Sequence, residues 1–207
     1  MNKKIKSLVL AAVMGLSLTT VAVVPATVEA ASAGAAQTLI GGAVAYAYVS
    51  TAFNKMDNSK EGQEQSLARA KKQTGYLEDS AAQARVQRIM KTLEASPSVK
   101  RSYVVYANPS DDFNAFATVG RVMSVNKGAL DLLDDDELAY VMAHEISHGE
   151  HKDIVNGLKK QVGLSTAVSL AAGGGGNAAI LSNIAGNYME NQVFTMGQEK
   201  AADELGF

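Results

Sequence analysis

All three histidines of the chain fall within eight residues, in the stretch Val141–Asp153 (VMAHEISHGEHKD). On an α-helix, residues four apart share a face, separated by about 40° in angle and about 6 Å along the axis. His144 and His148 would then present two imidazoles to one point, as a zinc ion with Zn–N bonds of about 2.0–2.1 Å requires. Glu145 lies about 100° further round the helix, too far for an easy third ligand but within reach of a water beside the metal. This H-E-x-x-H spacing pairs two metal ligands with a glutamate general base. Val141, Met142 and Ile146 are interleaved with the polar residues, so the stretch reads as a packed helix and not as a histidine-rich tail. His151 follows the same stripe, but about 10.5 Å along the axis from His144, too far to share one tetrahedral ion. With Gly149 it also falls too early for the longer three-histidine pattern, so it is read as a neighbour of the site.

A third ligand must come from elsewhere, and with no cysteine in the chain it must be an oxygen donor. Glu199, in Glu199-Lys200-Ala201-Ala202-Asp203, is the best candidate, because a carboxylate on a second helix completes a His₂Glu set with one open position. Asp203 falls one turn later on the same face, where it could hydrogen-bond a ligating histidine from behind. Spacing alone leaves Glu190 and Glu204 open as alternatives.

The elements that must position these residues can be read along the chain. Residues 1–30 have a basic start (Lys3, Lys4, Lys6), an apolar run from Ser7 to Val24 and small or modest residues at Val28 and Ala30. They are expected to form a signal peptide cleaved after Ala30, which makes the protein exported: periplasmic, cell-envelope or extracellular. Residues 31–76 are expected to hold a small-residue helix, then a polar linker or exposed helix from Asn58 to Gly75. Membrane association through this N-terminal segment stays open, as does an oligomer. An amphipathic helix begins near Asp79 or Ser80 and stops before Pro97, with Val86, Ile89, Met90 and Leu93 on its apolar face. Three short β segments follow: Ser102–Ala107, Asn114–Val119 and Arg121–Asn126, the last two joined by a tight hairpin at Gly120. A helical turn over Gly128–Leu133 precedes the acidic run Asp134–Glu137, which should cap the helix carrying the histidines, about Asp135 to His151. The uncharged stretch Gln161–Met189 is divided by Gly173–Gly176, read as the turn of a soluble helical hairpin, and GQEKAADELGF closes the chain as a short helix. The four glycines are not followed by the lysine and hydroxyl residue that a phosphate-binding loop needs. A formal charge of -2 over 207 residues gives no basic footprint for nucleic acid.

From about Leu77 to Gly206 the chain resembles the zinc metallopeptidase family that includes HtpX and the CAAX prenyl proteases, and within it the exported bacterial members. The residues carrying the resemblance are Asn114-Ala115-Phe116-Ala117-Thr118, Arg121–Asn126, Asp136-Glu137-Leu138-Ala139, His144-Glu145-Ile146-Ser147-His148 and Glu199-Lys200-Ala201-Ala202-Asp203, in that order. The resemblance implies one zinc ion held by His144, His148 and Glu199, with Glu145 as catalytic base and Asp203 behind a ligand. It implies an α+β, zincin-like domain over residues 77–207, with the active-site helix on a small, mainly antiparallel sheet and a helix-rich C-terminal part. It also implies that Arg121, Val122, Met123, Ser124, Val125 and Asn126 form the sheet edge that binds substrate. The expected activity is endopeptidase cleavage of extended or unfolded proteins. Family members continue beyond the E-x-x-A-D segment, whereas this sequence ends at Phe207. The accompanying expectation is a low-activity or inactive module that binds zinc and peptides.

Overall fold

The computed structural model describes residues 47, 50–171 and 196–206. The expected signal peptide, most of the small-residue segment after it, the Gly173–Gly176 turn and Glu190 lie outside the described residues. The chain divides into two compact units, residues 52–157 with 193–207, and residues 1–51 with 158–192. All the candidate site residues except Glu190 belong to the first.

That unit is built from helices α1 (Lys60–Thr74), α2 (Ser80–Glu94), α3 (Lys127–Leu132), α4 (Asp135–Glu150) and α6 (Met196–Gly206), around strands β1 (Val104–Asn108), β2 (Ala115–Thr118) and β3 (Val122–Asn126). Helix α5 (Asp153–Ala171) starts in it and runs on into the other unit. Among the described residues no helix is long and apolar enough to cross a membrane.

The sheet has the order β1-β3-β2. β3 pairs in parallel with β1, from Val104↔Val122 to Asn108↔Asn126, and antiparallel with β2, from Ala115↔Val125 to Thr118↔Val122. Two expectations are thereby corrected. The sheet is mixed, not mainly antiparallel, because the β2–β3 hairpin folds back with β3 on the inside, and β3 then runs alongside β1. For the same reason Val122–Asn126 is the central strand and not an edge. Its five residues are buried and both its sides are hydrogen-bonded to neighbours, so it cannot accept a substrate strand. Arg121 lies outside the strand, in the connecting turn, where Gly120 (φ 86) and Arg121 (φ 60) both take left-handed conformations. Its Nε donates to Asp57 O at 2.9 Å and its Nη1 to Ser102 O at 3.0 Å, holding an otherwise strained residue in position.

Strand alternation gives the sheet two faces. Val105, Ala107, Ala115, Met123 and Val125 pack against Val86, Ile89 and Met90 of α2 and Leu138, Met142 and Ile146 of α4. The opposite face carries Tyr106 and Val122 under Ala70 and Leu67 of α1. Helix α1, read from sequence as exposed or a linker, buries Gly62, Ser66 and Ala70; its apolar stripe is too thin to stand out by periodicity. The polar residues of that face are also buried, and Asn108 Nδ2 donates to Ser124 Oγ (2.9 Å) and Asn126 Oδ1 (2.6 Å).

The two outer strands end differently. On β1, Ala107 turns its backbone away from β3, and the Gln83 side chain answers it as a strand would: Oε1 accepts from Ala107 N (3.0 Å) and Nε2 donates to Ala107 O (2.9 Å). Leu77 N donates to the same carbonyl at 2.9 Å. The β1 edge is thereby closed at Ala107. On β2, Asn114 O accepts from Asn126 N, so by alternation Ala115 and Ala117 direct their backbone groups away from the sheet, towards α4.

Helix α2 begins where the sequence indicates, with Asp79 Oδ1 accepting from Ala81 N (2.9 Å) and Ala82 N (3.1 Å). The acidic start of α4 forms a capping box: Asp134 Oδ1 accepts from Glu137 N (2.9 Å) and Glu137 Oε2 from Asp134 N (3.2 Å). Arg85 of α2 binds Asp135 Oδ1 at 2.7 Å and the carbonyls of Leu130 (2.7 Å) and Leu133 (2.6 Å), locking the approach to α4.

Gln83→Ala leaves the fully buried Ala107 N–H without its acceptor, which should cost about 1–3 kcal/mol of stability by chemical denaturation. Asp134→Ala should cost about 1 kcal/mol by the same measurement, through loss of the cap.

Candidate metal centre

Helix α4 turns His144 and His148 inward, where His148 is fully buried and His144 nearly so. The rings stand edge to face, 4.9 Å between centroids, with the two Nε2 atoms 3.2 Å apart. Gly149 follows His148 because the Tyr103 hydroxyl occupies the space of a side chain there: a Cβ would lie 2.4 Å from that oxygen. Tyr103 donates to Glu150 Oε1 at 2.9 Å, and burial together with Glu150 pushes its pKa well above the usual phenol value.

Helix α6 packs against α4 and brings Glu199 between the two rings. Glu199 Oε2 lies 3.4 Å from His144 Nε2, and Oε1 lies 3.6 Å from His148 Nε2. Glu204 instead faces Lys200 at 3.7 Å on the exposed side of α6. His151 caps the C-terminus of α4 and is exposed, apart from the cluster.

Each ring is held from behind at Nδ1 by a carboxylate. His144 Nδ1 meets Asp203 Oδ1 at 3.1 Å, and Tyr140 donates to the same oxygen at 3.2 Å. His148 Nδ1 meets Asp153 Oδ2 at 3.0 Å, and Gln198 Nε2 donates to Asp153 Oδ1 at 2.8 Å. The sequence reading missed Asp153, Tyr140 and Gln198. The signals for them are weak: an acidic residue at the start of the next helix, a tyrosine one turn before His144, and a glutamine beside Glu199.

In a neutral ring a carboxylate partner favours the proton on Nδ1, which leaves Nε2 to serve as a ligand, and the two Nε2 atoms lie 3.2 Å apart. Buried Glu199 Oε1 has no hydrogen-bond partner. Two lone pairs and an unsatisfied anionic oxygen in one buried space ask for a cation. Donors at about 2.0–2.2 Å from a tetrahedral centre lie roughly 3.3 Å from one another, and the observed separations bracket that value. His144, His148 and Glu199 form a group that could hold a metal ion.

Glu145 lies beside this group, within electrostatic reach of His148, His144 and Glu199, and its Oε2 accepts from Ala117 N of β2 at 3.0 Å. Burial raises its pKa, against the lowering influence of His148, His144 and the Ala117 amide. Burial also opposes the charge on His144, but the hydrogen bond to Glu199 and the charges of Glu145, Glu199 and Asp203 outweigh it and raise that pKa too. In the metal-free protein both groups thus hold their protons more tightly folded than unfolded. The stability they contribute is complete below the unfolded values and is lost as pH rises through the folded ones. The thermal midpoint in chelator should therefore fall as pH rises above the ordinary imidazole value of about 6.5. The stabilisation gained on adding zinc should grow over the same interval, because protons no longer compete for Nε2. A metal-free midpoint that rises through this interval would contradict the assignment.

The comparisons with known proteins agree with this geometry. Residues 77–207 match the model of peptidase family M48. The chain is 30% identical over 119 residues to a putative beta-barrel assembly-enhancing protease of Vibrio cholerae, covering 52% of this chain and 25% of that protein. It is 29% identical over 110 residues to the metalloprotease LoiP of Escherichia coli K12, covering 51% and 43%. It is 50% identical over 52 residues to an HtpX protease homologue of Salinibacter ruber, covering 23% and 18%. The matches thus span less than half the length of each of these relatives. A family match over more than half of the chain, including every residue of the cluster, assigns it: the chain belongs to peptidase family M48.

Proposed function

We propose that this chain is an exported, zinc-dependent endopeptidase that cleaves extended or unfolded protein segments within a zincin-like fold. The observation that carries the reading is the buried pair of Nε2 atoms beside an unpartnered Glu199 oxygen. Membership of a peptidase family supports peptide-bond hydrolysis as the reaction.

His144, His148 and Glu199 would hold the ion, with Asp203 and Asp153 fixing the rings. A zinc ion there supplies Lewis-acid chemistry, polarising a carbonyl and lowering the pKa of water towards about 7. The remaining chemistry is proton transfer, and Glu145 is the group for it. Its carboxylate takes a proton from the water that attacks the scissile carbon and returns it to the departing amine. Burial raises its pKa, which makes it a stronger base than an exposed carboxylate.

Substrate is assigned to β2, in place of the central strand expected from the sequence. β3 is interior, β1 has its Ala107 backbone taken by Gln83, and β2 is the outer strand whose Ala117 amide meets Glu145. A peptide running along β2 would take over the Ala117 amide from Glu145 and gain main-chain hydrogen bonds whatever its side chains, which suits unfolded segments. The leader-like residues 1–30 support export. The relatives named for beta-barrel assembly support a cell-envelope setting.

The test is metal content together with cleavage of an unstructured protein, for wild type and Glu145→Ala. One zinc per chain in both, with cleavage reduced about 10²- to 10⁴-fold in the variant, is the expected result. Wild type that binds no metal, or a variant that cleaves at the wild-type rate, overturns it.

A further inference from the structure

We infer that Gln198 is a positioning residue, acting through Asp153 to fix the proton of His148 on Nδ1 and leave Nε2 bare. The inference rests on the reading of His148 as a metal ligand. Three helices meet in one hydrogen-bonded line: His148 from α4, Asp153 from the first turn of α5, and Gln198 from α6. Asp153 is buried and has both oxygens engaged, Oδ2 by the ring and Oδ1 by the Gln198 amide.

A buried carboxylate with one oxygen unanswered can rotate to improve its other contacts, and the Nδ1–H then loses a fixed acceptor. The alternative tautomer, with its proton on Nε2, puts hydrogen where a cation must bind. The Gln198 donor removes that freedom. Its neighbour in sequence is Glu199, about 100° round α6, so one helix supplies a donor behind His148 and an oxygen in front of it. The counterpart behind His144 is less enclosed: the Asp203 side chain is 52% exposed, against 10% for Asp153, so solvent screens it more strongly.

Removing the amide should leave α6 docked. Ala202 is fully buried, and Asp203 still joins Tyr140 and His144. The loss should therefore appear in metal binding and not in folding.

The experiment compares wild type with Gln198→Met, which keeps the length and helix preference but cannot hydrogen-bond, and with Gln198→Glu, which sets a carboxylate against Asp153. Three quantities are read on each purified protein: zinc affinity by competition with a chromophoric chelator, the His148 tautomer in the metal-free state by long-range ¹H–¹⁵N correlation, and the metal-free thermal midpoint. Wild type should show the Nδ1–H tautomer, and both variants a mixture. Zinc affinity should fall about 10-fold or more, with the metal-free midpoint of Gln198→Met within about 2 °C of wild type. An unchanged tautomer overturns the inference. So does unchanged affinity in a protein that binds zinc, or an affinity loss with a comparable collapse of metal-free stability in both variants. If wild type binds no zinc, the peptidase reading fails separately and the tautomer alone decides the role of Gln198.

Discussion

Two imidazole Nε2 atoms 3.2 Å apart inside a protein must share a proton or a cation, because little solvent intervenes to weaken their repulsion. His144 and His148 are nonetheless held in that arrangement, by a helix that places them one turn apart and by carboxylates that take the opposite nitrogens. Glu199 adds negative charge to the same space. Much of the surrounding structure can be understood as keeping three electron-rich groups together until a cation relieves them. A site prepared in this way needs little rearrangement when metal arrives, and side chains locked by packing hold their geometry better than mobile ones.

Helix α4 is accordingly fixed at both ends. Its start is held by the Asp134–Glu137 capping box and by the three bonds of Arg85. At its end, Arg101 donates to Gly149 O at 2.8 Å and also grips Asp57, while the Glu150 carboxylate receives the backbone amides of Lys100 and Arg101. Tyr103 closes over Gly149. The histidines thus sit in the second half of a helix whose position is set by charged and polar contacts outside the metal cluster, and by Leu138, Met142 and Ile146 pressed on the sheet.

The parts legible in the sequence are those governed by short-range rules. Helical spacing alone aligned His144 with His148, capping chemistry located α2 and α4, and alternation separated Met123 and Val125 from Val122, Ser124 and Asn126. Sheet order was not legible in that way. Three β segments in succession are compatible with a simple meander or with an inserted strand, and nothing in Arg121–Asn126 states which neighbours it will have. Partners distant in sequence were equally hidden. Gln198 meets Asp153 only because α6 docks on α4 beside the first turn of α5, and a glutamine has no spacing rule to announce that role. Glu199 lay between the two cases: its motif narrowed the choice, and only the fold brought its carboxylate, and not that of Glu204, to the imidazoles.

Gln83 answers the outward backbone of Ala107 with a side chain, as a neighbouring strand would. Open strand edges invite pairing with any extended chain, and aggregation starts on them. With Ala107 answered by Gln83 of α2 and Ala117 by Glu145 of α4, each outer strand is met at one backbone position by a polar side chain from a helix. The groups that occupy those positions also fix where the two helices can lie, so the flank of the sheet and the place of the histidine helix are set together.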